Sequence, residues 1–485
     1  MPMIGRSLVS WIVFSGLLLL LSCTTQGTEL ELAYVGWSFM LSIPVLITVQ
    51  LGGLGHPNEG LHYPSGALLI VGAWILGIAP SLVSEAPEAL LLFRHSDSAL
   101  MLARPFFLGW CVIFVIAAGR PTPSRIQTTI RSSDFIALSI VSAVFLFYLV
   151  RTGLFSAYQA TNVKLILEPG SRNTTMLFLG TPLFALLPPL FMLISVRASS
   201  RWMTLGALIA FAASWPALFF LASRTSLALA VATCLLVGRK LQRPMSMRVV
   251  LSVGVALPIL LAWVTIYRGA LTSSTDGATS FGEYYSIAAT ATAGLNEKDA
   301  RSDALDNVSA NARVRFWYGP QLCIVIDEWL AHGANMRGSF FSGVVRSIPL
   351  MIVPEKNALA DELEFEPMLL TLGSFPLLDL SPTPIMQWLF ELGALGLLIG
   401  PLAYGWFVRL LERRLSQTRS FYEIVFWLEL FVLMWAPEHT TDVLIMGVRN
   451  IGALIIGIAV TAYVVEKADL VVRGLHLRPN RSSGH

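Results

Sequence analysis

The feature that most limits this chain is a succession of apolar runs separated by short polar breaks. A bilayer's hydrocarbon core, about 30 Å thick, takes roughly 20 apolar residues in helical form. Within it every backbone N–H and C=O must be paired inside the chain, so repeated runs of this length fold as helices. Such runs can be read at 4–21, 33–50, 64–80, 105–119, 134–150, 176–196, 202–221, 225–238, 249–267, 383–407, 421–436 and 443–465. Composition agrees, with 13% of the residues charged and 55% apolar, where soluble domains carry about a quarter charged. An aromatic share of 11% also removes disorder as a reading. The expected fold is an all-α polytopic membrane protein with about twelve transmembrane helices.

Charges in the breaks orient the runs, because Lys and Arg collect on the cytoplasmic side. Arg120, Arg125 and Arg131 share one break, Arg197 and Arg201 another, and Arg239, Lys240, Arg243 and Arg248 a third. Arg409, Arg413, Arg414 and Arg419 fill a fourth, and Lys467, Arg473, Arg478 and Arg481 mark the tail. Twelve crossings beginning from a cytoplasmic Arg6 put all these groups on one side, with both termini cytoplasmic. The opposite side receives 268–382, the one long hydrophilic stretch, with 14 acidic and 8 basic residues. The chain therefore divides into a membrane part at 1–267 with about nine helices, an outer loop at 268–382, and a second membrane part at 383–485 with about three helices and a cytoplasmic tail. Within the loop, Val314–Leu330 and Phe340–Val353 are apolar enough for amphipathic or re-entrant helices on the membrane. Leu20-Leu21-Ser22-Cys23 resembles a lipoprotein cleavage box only faintly, and a retained first helix is the expectation.

Several function classes are absent from the pattern. The net charge of +3 is too small to imply nucleic acid. The four cysteines have neither paired nor metal-ligand spacing, and the seven histidines are scattered. There is no P-loop, HExxH, GxSxG or Asp-x-Asp pair. Neither a metal nor a cofactor is expected. Of the 33 basic residues, 28 are Arg and five are Lys. Arg's planar fork of donors suits phosphate, although a GC-rich genome produces the same bias.

Charges inside or beside apolar runs cost on the order of 3 kcal/mol at the bilayer centre, so each needs a reason. Arg224, in Ser223-Arg224-Thr225, and Arg268, in Tyr267-Arg268-Gly269, fall at outer helix ends. Each either caps or snorkels there, or presents a cation to an outer cavity. Arg313 and Arg315 lie in the outer loop, as surface charges or as further cations. The last hairpin carries Pro437-Glu438-His439-Thr440-Thr441-Asp442, and Arg449 follows Asp442 by two turns on one helix face. An Asp442–Arg449 pair is one reading; acids and a histidine lining a cavity as general bases is the other. Glu391, Glu423 and Glu429 also interrupt apolar runs. Glu423 is placed to snorkel, whereas Glu429, near mid-membrane, requires an internal partner or a proton.

These motifs resemble the Wzy-type polymerases of bacterial polysaccharides, which are related in architecture to O-antigen ligases. The resemblance rests on Ser223-Arg224-Thr225, Tyr267-Arg268-Gly269, Ile348-Pro349 with Val353-Pro354-Glu355-Lys356, and Ser381-Pro382-Thr383 followed by Glu391-Leu392-Gly393 and Gly396. Glu438 and Asp442 stand in a hairpin where common-antigen polymerases also carry acids. Together these cover 223–450, about half of the chain.

The resemblance implies a GT-C-like helical fold in the bacterial inner membrane and an undecaprenyl-diphosphate-linked oligosaccharide as substrate. Arg224, Arg268, Arg315 and Arg449 would hold the diphosphate, while Glu438, Asp442 or His439 would deprotonate the acceptor hydroxyl. Trp317, Tyr318 and Trp329 would hold glycan or anchor an interfacial helix. A chain-length regulator and a flippase of the same pathway are the implied partners. An O-antigen ligase, with His332 as its loop histidine, and a lipid-linked-sugar transporter are the alternatives.

Overall fold

The computed structural model describes residues 66–83, 96–119, 126, 128, 130–151, 172–220, 224–241, 264, 286, 290, 318–348, 352–363, 383–435 and 441–476. The described residues are helical, with one isolated parallel bridge between Ile130 and Ala198. Six helices follow the N-terminal apolar runs closely: α1 (Gly66–Val83), α2 (Asp97–Ala118), α3 (Ser132–Arg151), α4 (Arg172–Arg197), α5 (Arg201–Phe220) and α6 (Arg224–Lys240). Three shorter helices come from the hydrophilic stretch: α7 (Tyr318–His332), α8 (Phe340–Ser347) and α9 (Lys356–Leu363). The C-terminal part supplies α10 (Pro384–Leu392), α11 (Ala394–Gln417), α12 (Phe421–Trp435) and α13 (Thr441–His476). The runs at 4–21 and 33–50 lie outside the described residues, as does nearly all of 249–267. Among the described residues, three helices are long and apolar enough to cross a membrane: α2, α11 and the Val443–Val471 portion of α13.

Three expectations change. The run at 383–407 is two helices, broken at Gly393, whose φ of +59° lies in the left-handed region that favours glycine. Crowding reinforces the choice, since a Cβ there would stand 2.6 Å from Trp329 Nε1. The last run does not end at 465; its helix continues to His476. Finally, α7 does not lie on the surface along its whole length. Gln321 to Ile326 are buried, and the helix packs against α1, α2 and α10. The α8 helix keeps the expected amphipathic character, with Ser342 and Gly343 buried and Phe341 and Val344 outward.

The core is organised around α12, which touches α1, α4, α6, α11 and α13. Its face from Leu428 to Met434 is continuously buried, so it reads as a helix surrounded by others rather than by solvent or lipid. Glu429 lies in this stretch at 1% exposure, and its Oε2 accepts no hydrogen bond among the described residues. The internal partner expected for it is therefore not found there.

A close seam joins α2 and α11. A Cβ on Gly405 would stand 2.4 Å from the Phe114 carbonyl oxygen, and one on Gly400 would stand 2.5 Å from the Trp110 ring. Glycine there lets the backbones approach, as small residues do between membrane helices. Trp74, Trp110, Phe114 and Tyr404 close this seam, with Trp74 and Phe114 centroids 4.7 Å apart.

Helix ends sort into two poles. At one, Glu412 accepts the Gly66 N–H at 2.7 Å, the Arg409 guanidinium sits beside Gly119, and Thr128 Oγ1 donates to the Thr418 carbonyl at 2.8 Å. Arg131 and Ser133 both donate to Glu466 there, at 3.2 and 2.9 Å. This is the basic pole. At the other, Asp327 of α7 accepts from the Ser96 N–H (2.7 Å) and hydroxyl (2.5 Å), while Ser96 caps α2 through the Ala99 N–H. An acid at a helix N-terminus is favoured by the helix dipole.

Candidate functional site

The pole opposite the basic one is built on the break at Gly393. Ending α10 there leaves its last carbonyls without intrahelical donors. A loop from Gly333 to Ser339 fills that role: Asn335 N–H donates to the Phe390 carbonyl at 2.9 Å and Met336 N–H to that of Glu391 at 3.2 Å. The loop turns through positive φ at Gly333 (+77°), Met336 (+46°) and Gly338 (+80°). This shape aims two successive N–H groups, from Gly338 and Ser339, at the Glu391 carboxylate, at 2.8 and 2.7 Å. Glu391, 2% exposed, is thus a structural clasp on the loop, and its charge is compensated by backbone donors.

One turn earlier, Gln387 bridges to the last helix. Its Nε2 donates to Ser339 Oγ at 3.1 Å, and its Oε1 accepts the Thr441 N–H at 2.8 Å. Thr441 Oγ1 in turn accepts from Trp388 Nε1 at 3.1 Å and lies 3.2 Å from Tyr404 OH. A polar spine therefore fixes the loop, α10 and the start of α13 in one register.

Two cations meet beside this spine. Arg449 donates through Nη1 to the Arg346 carbonyl at 2.9 Å, and through Nε and Nη2 to Asn450 Oδ1 at 3.1 and 2.9 Å. Lys356 Nζ donates to the same Arg346 carbonyl at 2.8 Å and to the Ile348 carbonyl. Sharing one oxygen holds the two nitrogens within about 5.7 Å, the sum of the two bonds. Both lie at the C-terminal end of α8, where the helix dipole favours positive charge. Among the described residues no carboxylate lies within ion-pair distance of either. Lys356 is nearly buried, and that burial, followed by repulsion from Arg449, holds its ammonium below the usual lysine value.

The arrangement is an anchored pair of positive charges with donors to spare. Lys356 has three N–H bonds and uses two; the Arg449 fork has five and uses three. A phosphate or diphosphate oxygen is the complementary ligand. Among the described residues no three of His, Cys, Asp or Glu gather as metal ligands would.

Of the residues expected from sequence, Arg449 is the one whose side chain enters this cluster. Its partners among the described side chains are Asn450 and the Arg346 carbonyl. Arg224 opens α6 and Asp442 lies in the first turn of α13, but their side chains are outside the described set. Arg268, Arg313, Arg315, Trp317, Glu438 and His439 also lie outside it. His332 is exposed at the end of α7 and pairs with Glu328 at 3.2 Å, one turn back. Trp329 packs edge-on to Phe106 at 5.9 Å. Glu423 is exposed at the basic pole, as a snorkelling residue would be.

Lys356 enters the sequence reading only as the last residue of Val353-Pro354-Glu355-Lys356, with no role of its own. The signal available was its rarity, since it is one of five lysines and stands beside the Pro354 turn. No family model, curated protein or solved structure matches this chain.

Proposed function

We propose that this chain is a membrane glycosyltransferase of the polysaccharide-polymerase type, working on undecaprenyl-diphosphate-linked oligosaccharides at the outer face of the bacterial inner membrane. About twelve helices of GT-C-like arrangement would carry it, with the basic pole cytoplasmic under the positive-inside rule. The observation that supports this most is the Lys356–Arg449 pair, which has no acidic partner among the described residues and sits at the pole away from the basic breaks.

In the reaction, the oxygen of an acceptor sugar hydroxyl forms a bond to the anomeric carbon of the donor chain. The bond from that carbon to the diphosphate oxygen breaks, and undecaprenyl diphosphate leaves with the electron pair. The hydroxyl proton passes to a base, for which Glu438, Asp442 and His439 stand in order of preference. Negative charge grows on the leaving diphosphate, so fixed cations lower the barrier. One such contact at 4 Å is worth about 4 kcal/mol at an effective dielectric of 20, before desolvation. Arg449 with Lys356, joined by Arg224, Arg268 and Arg315, would supply them. The donor carries its own activation, so the scheme calls for no nucleotide.

The test is reconstitution in liposomes with undecaprenyl-diphosphate repeat units alone. A ladder of polymers is expected, lost in Arg224→Ala, Arg268→Ala and Arg449→Gln at normal protein level. Long polymer from all three variants would overturn the diphosphate assignment. Translocated but unjoined units would point to a transporter. Transfer to a lipid A core that vanishes in His332→Ala alone would point to a ligase.

A further inference from the structure

The basic pole holds a cavity of about 480 Å³ at the junction of α11, α12 and α13. It is lined at one end by Arg414, Arg419 and Thr418, and at the other by Phe426, Trp427 and Ile455. Phe426 and Trp427 stand five and six residues into α12, so the apolar end lies about 9 Å deeper along that helix than its polar mouth. The two wall rings are fixed edge to face at 5.0 Å. The floor of the mouth is fixed too, because the Thr418 hydroxyl donates to the Arg414 carbonyl at 2.5 Å and the Thr418 carbonyl accepts from Thr128. Neither the Arg414 nor the Arg419 guanidinium has a hydrogen-bond or ion-pair partner among the described residues, although Glu423 lines the same cavity. Two guanidinium groups without partners among the described residues, in one cavity with aromatic rings, suit an amphiphile with an anionic head.

We propose that this cavity binds the phosphate headgroup of an anionic membrane phospholipid, with one acyl chain along Trp427 and Ile455. Several observations point to a lipid rather than a soluble phosphate. The shaft is apolar, and it opens beside α13, which has one of the longest apolar surfaces of the bundle. The surrounding Arg409, Arg413 and Lys467 place this pole where positive charge gathers, the cytoplasmic leaflet, in which anionic headgroups are met. The inference is independent of the glycosyltransferase reading, which concerns the other pole.

The experiment uses the full chain in nanodiscs made of phosphatidylcholine with a trace of brominated phosphatidylglycerol. The readout is quenching of Trp427 fluorescence, isolated by comparison with Trp427→Phe. Brominated phosphatidylglycerol is expected to quench at low mole fraction. Brominated phosphatidylcholine in its place is expected not to. Removing two surface-region cations, each worth about a factor of five, should weaken the phosphatidylglycerol effect about thirtyfold in Arg414→Gln/Arg419→Gln. Inorganic phosphate at millimolar concentration should compete weakly or not at all. Equal quenching by both lipids, or an unchanged response in the double variant, overturns the proposal. Full displacement by inorganic phosphate makes this a soluble-anion site and overturns the lipid assignment.

Discussion

Replacing Glu391 by Gln tests whether a carboxylate holds the Gly333–Ser339 loop in place. In the native chain it accepts two backbone N–H groups at 2.7 and 2.8 Å while almost fully buried. Hydrogen bonds to a charged acceptor contribute about 1.5–3 kcal/mol each. Gln keeps one acceptor oxygen and turns an NH2 toward the other N–H, so one bond loses its charge and the other is replaced by a donor facing a donor. The cost to the clasped state is about 3 kcal/mol at least, and an orphaned buried N–H adds to it. Since 1.4 kcal/mol is a factor of ten, local opening should become more than a hundredfold more frequent. Hydrogen–deuterium exchange followed by mass spectrometry, on a peptide covering 333–342, reads this directly. Peptides from α2 and α12 should keep their protection and serve as the control for global folding. Exchange in the loop peptide within threefold of the native rate would refute the clasp, as would loss of protection throughout the chain at the same rate.

Other perturbations have equally definite outcomes. Gly405→Ala puts a Cβ 2.4 Å from the Phe114 carbonyl and should lower stability in detergent by about 1–3 kcal/mol. Gly452→Ala, whose Cβ would meet nothing within 4 Å, should leave the melting temperature unchanged or raise it. Thr441→Val removes the hydroxyl that accepts from Trp388 and approaches Tyr404. It should cost about 1–3 kcal/mol, and a double-mutant cycle with Trp388→Phe should recover part of it. Lys356 is held below its usual value, so the unfolded chain binds more protons than the fold between the two values. Stability should therefore rise with pH through that window. Melting curves should show this rise flattened in Lys356→Met, and an equal rise in both proteins would contradict the burial of the ammonium.

Much of the helical skeleton was legible because it depends on local apolar length. The run at 202–221 became Arg201–Phe220 and that at 134–150 became Ser132–Arg151. What was not legible depends on contacts distant in sequence. Gly393 looks like one more small residue in an apolar run; only the loop 54–60 residues earlier and the Trp329 ring explain why the helix breaks there. Glu391 reads as an intramembrane acid until its two backbone donors are seen. Burial of α7 was hidden because its hydrophilic flanks set the average over the stretch. Lys356 and Arg449 are 93 residues apart, and what joins them is a carbonyl at the end of a third helix, which no side-chain pattern records.

The continuous α13 helix has a mechanical consequence for a protein embedded in lipid. Arg449 is pinned to α8 near one end, and Glu466 is pinned to Arg131 and Ser133 near the other. Seventeen residues separate them, about 26 Å along the axis, close to the hydrocarbon thickness of about 30 Å. The helix is thus a strut fastened near both ends of its apolar stretch, as one continuous helix from Thr441 to His476. When the bilayer thickens or thins, the strut must change its tilt, and the Arg346 carbonyl with its two cations must follow. Hydrophobic mismatch acting on one fastening would thereby reach the charge pair at the other.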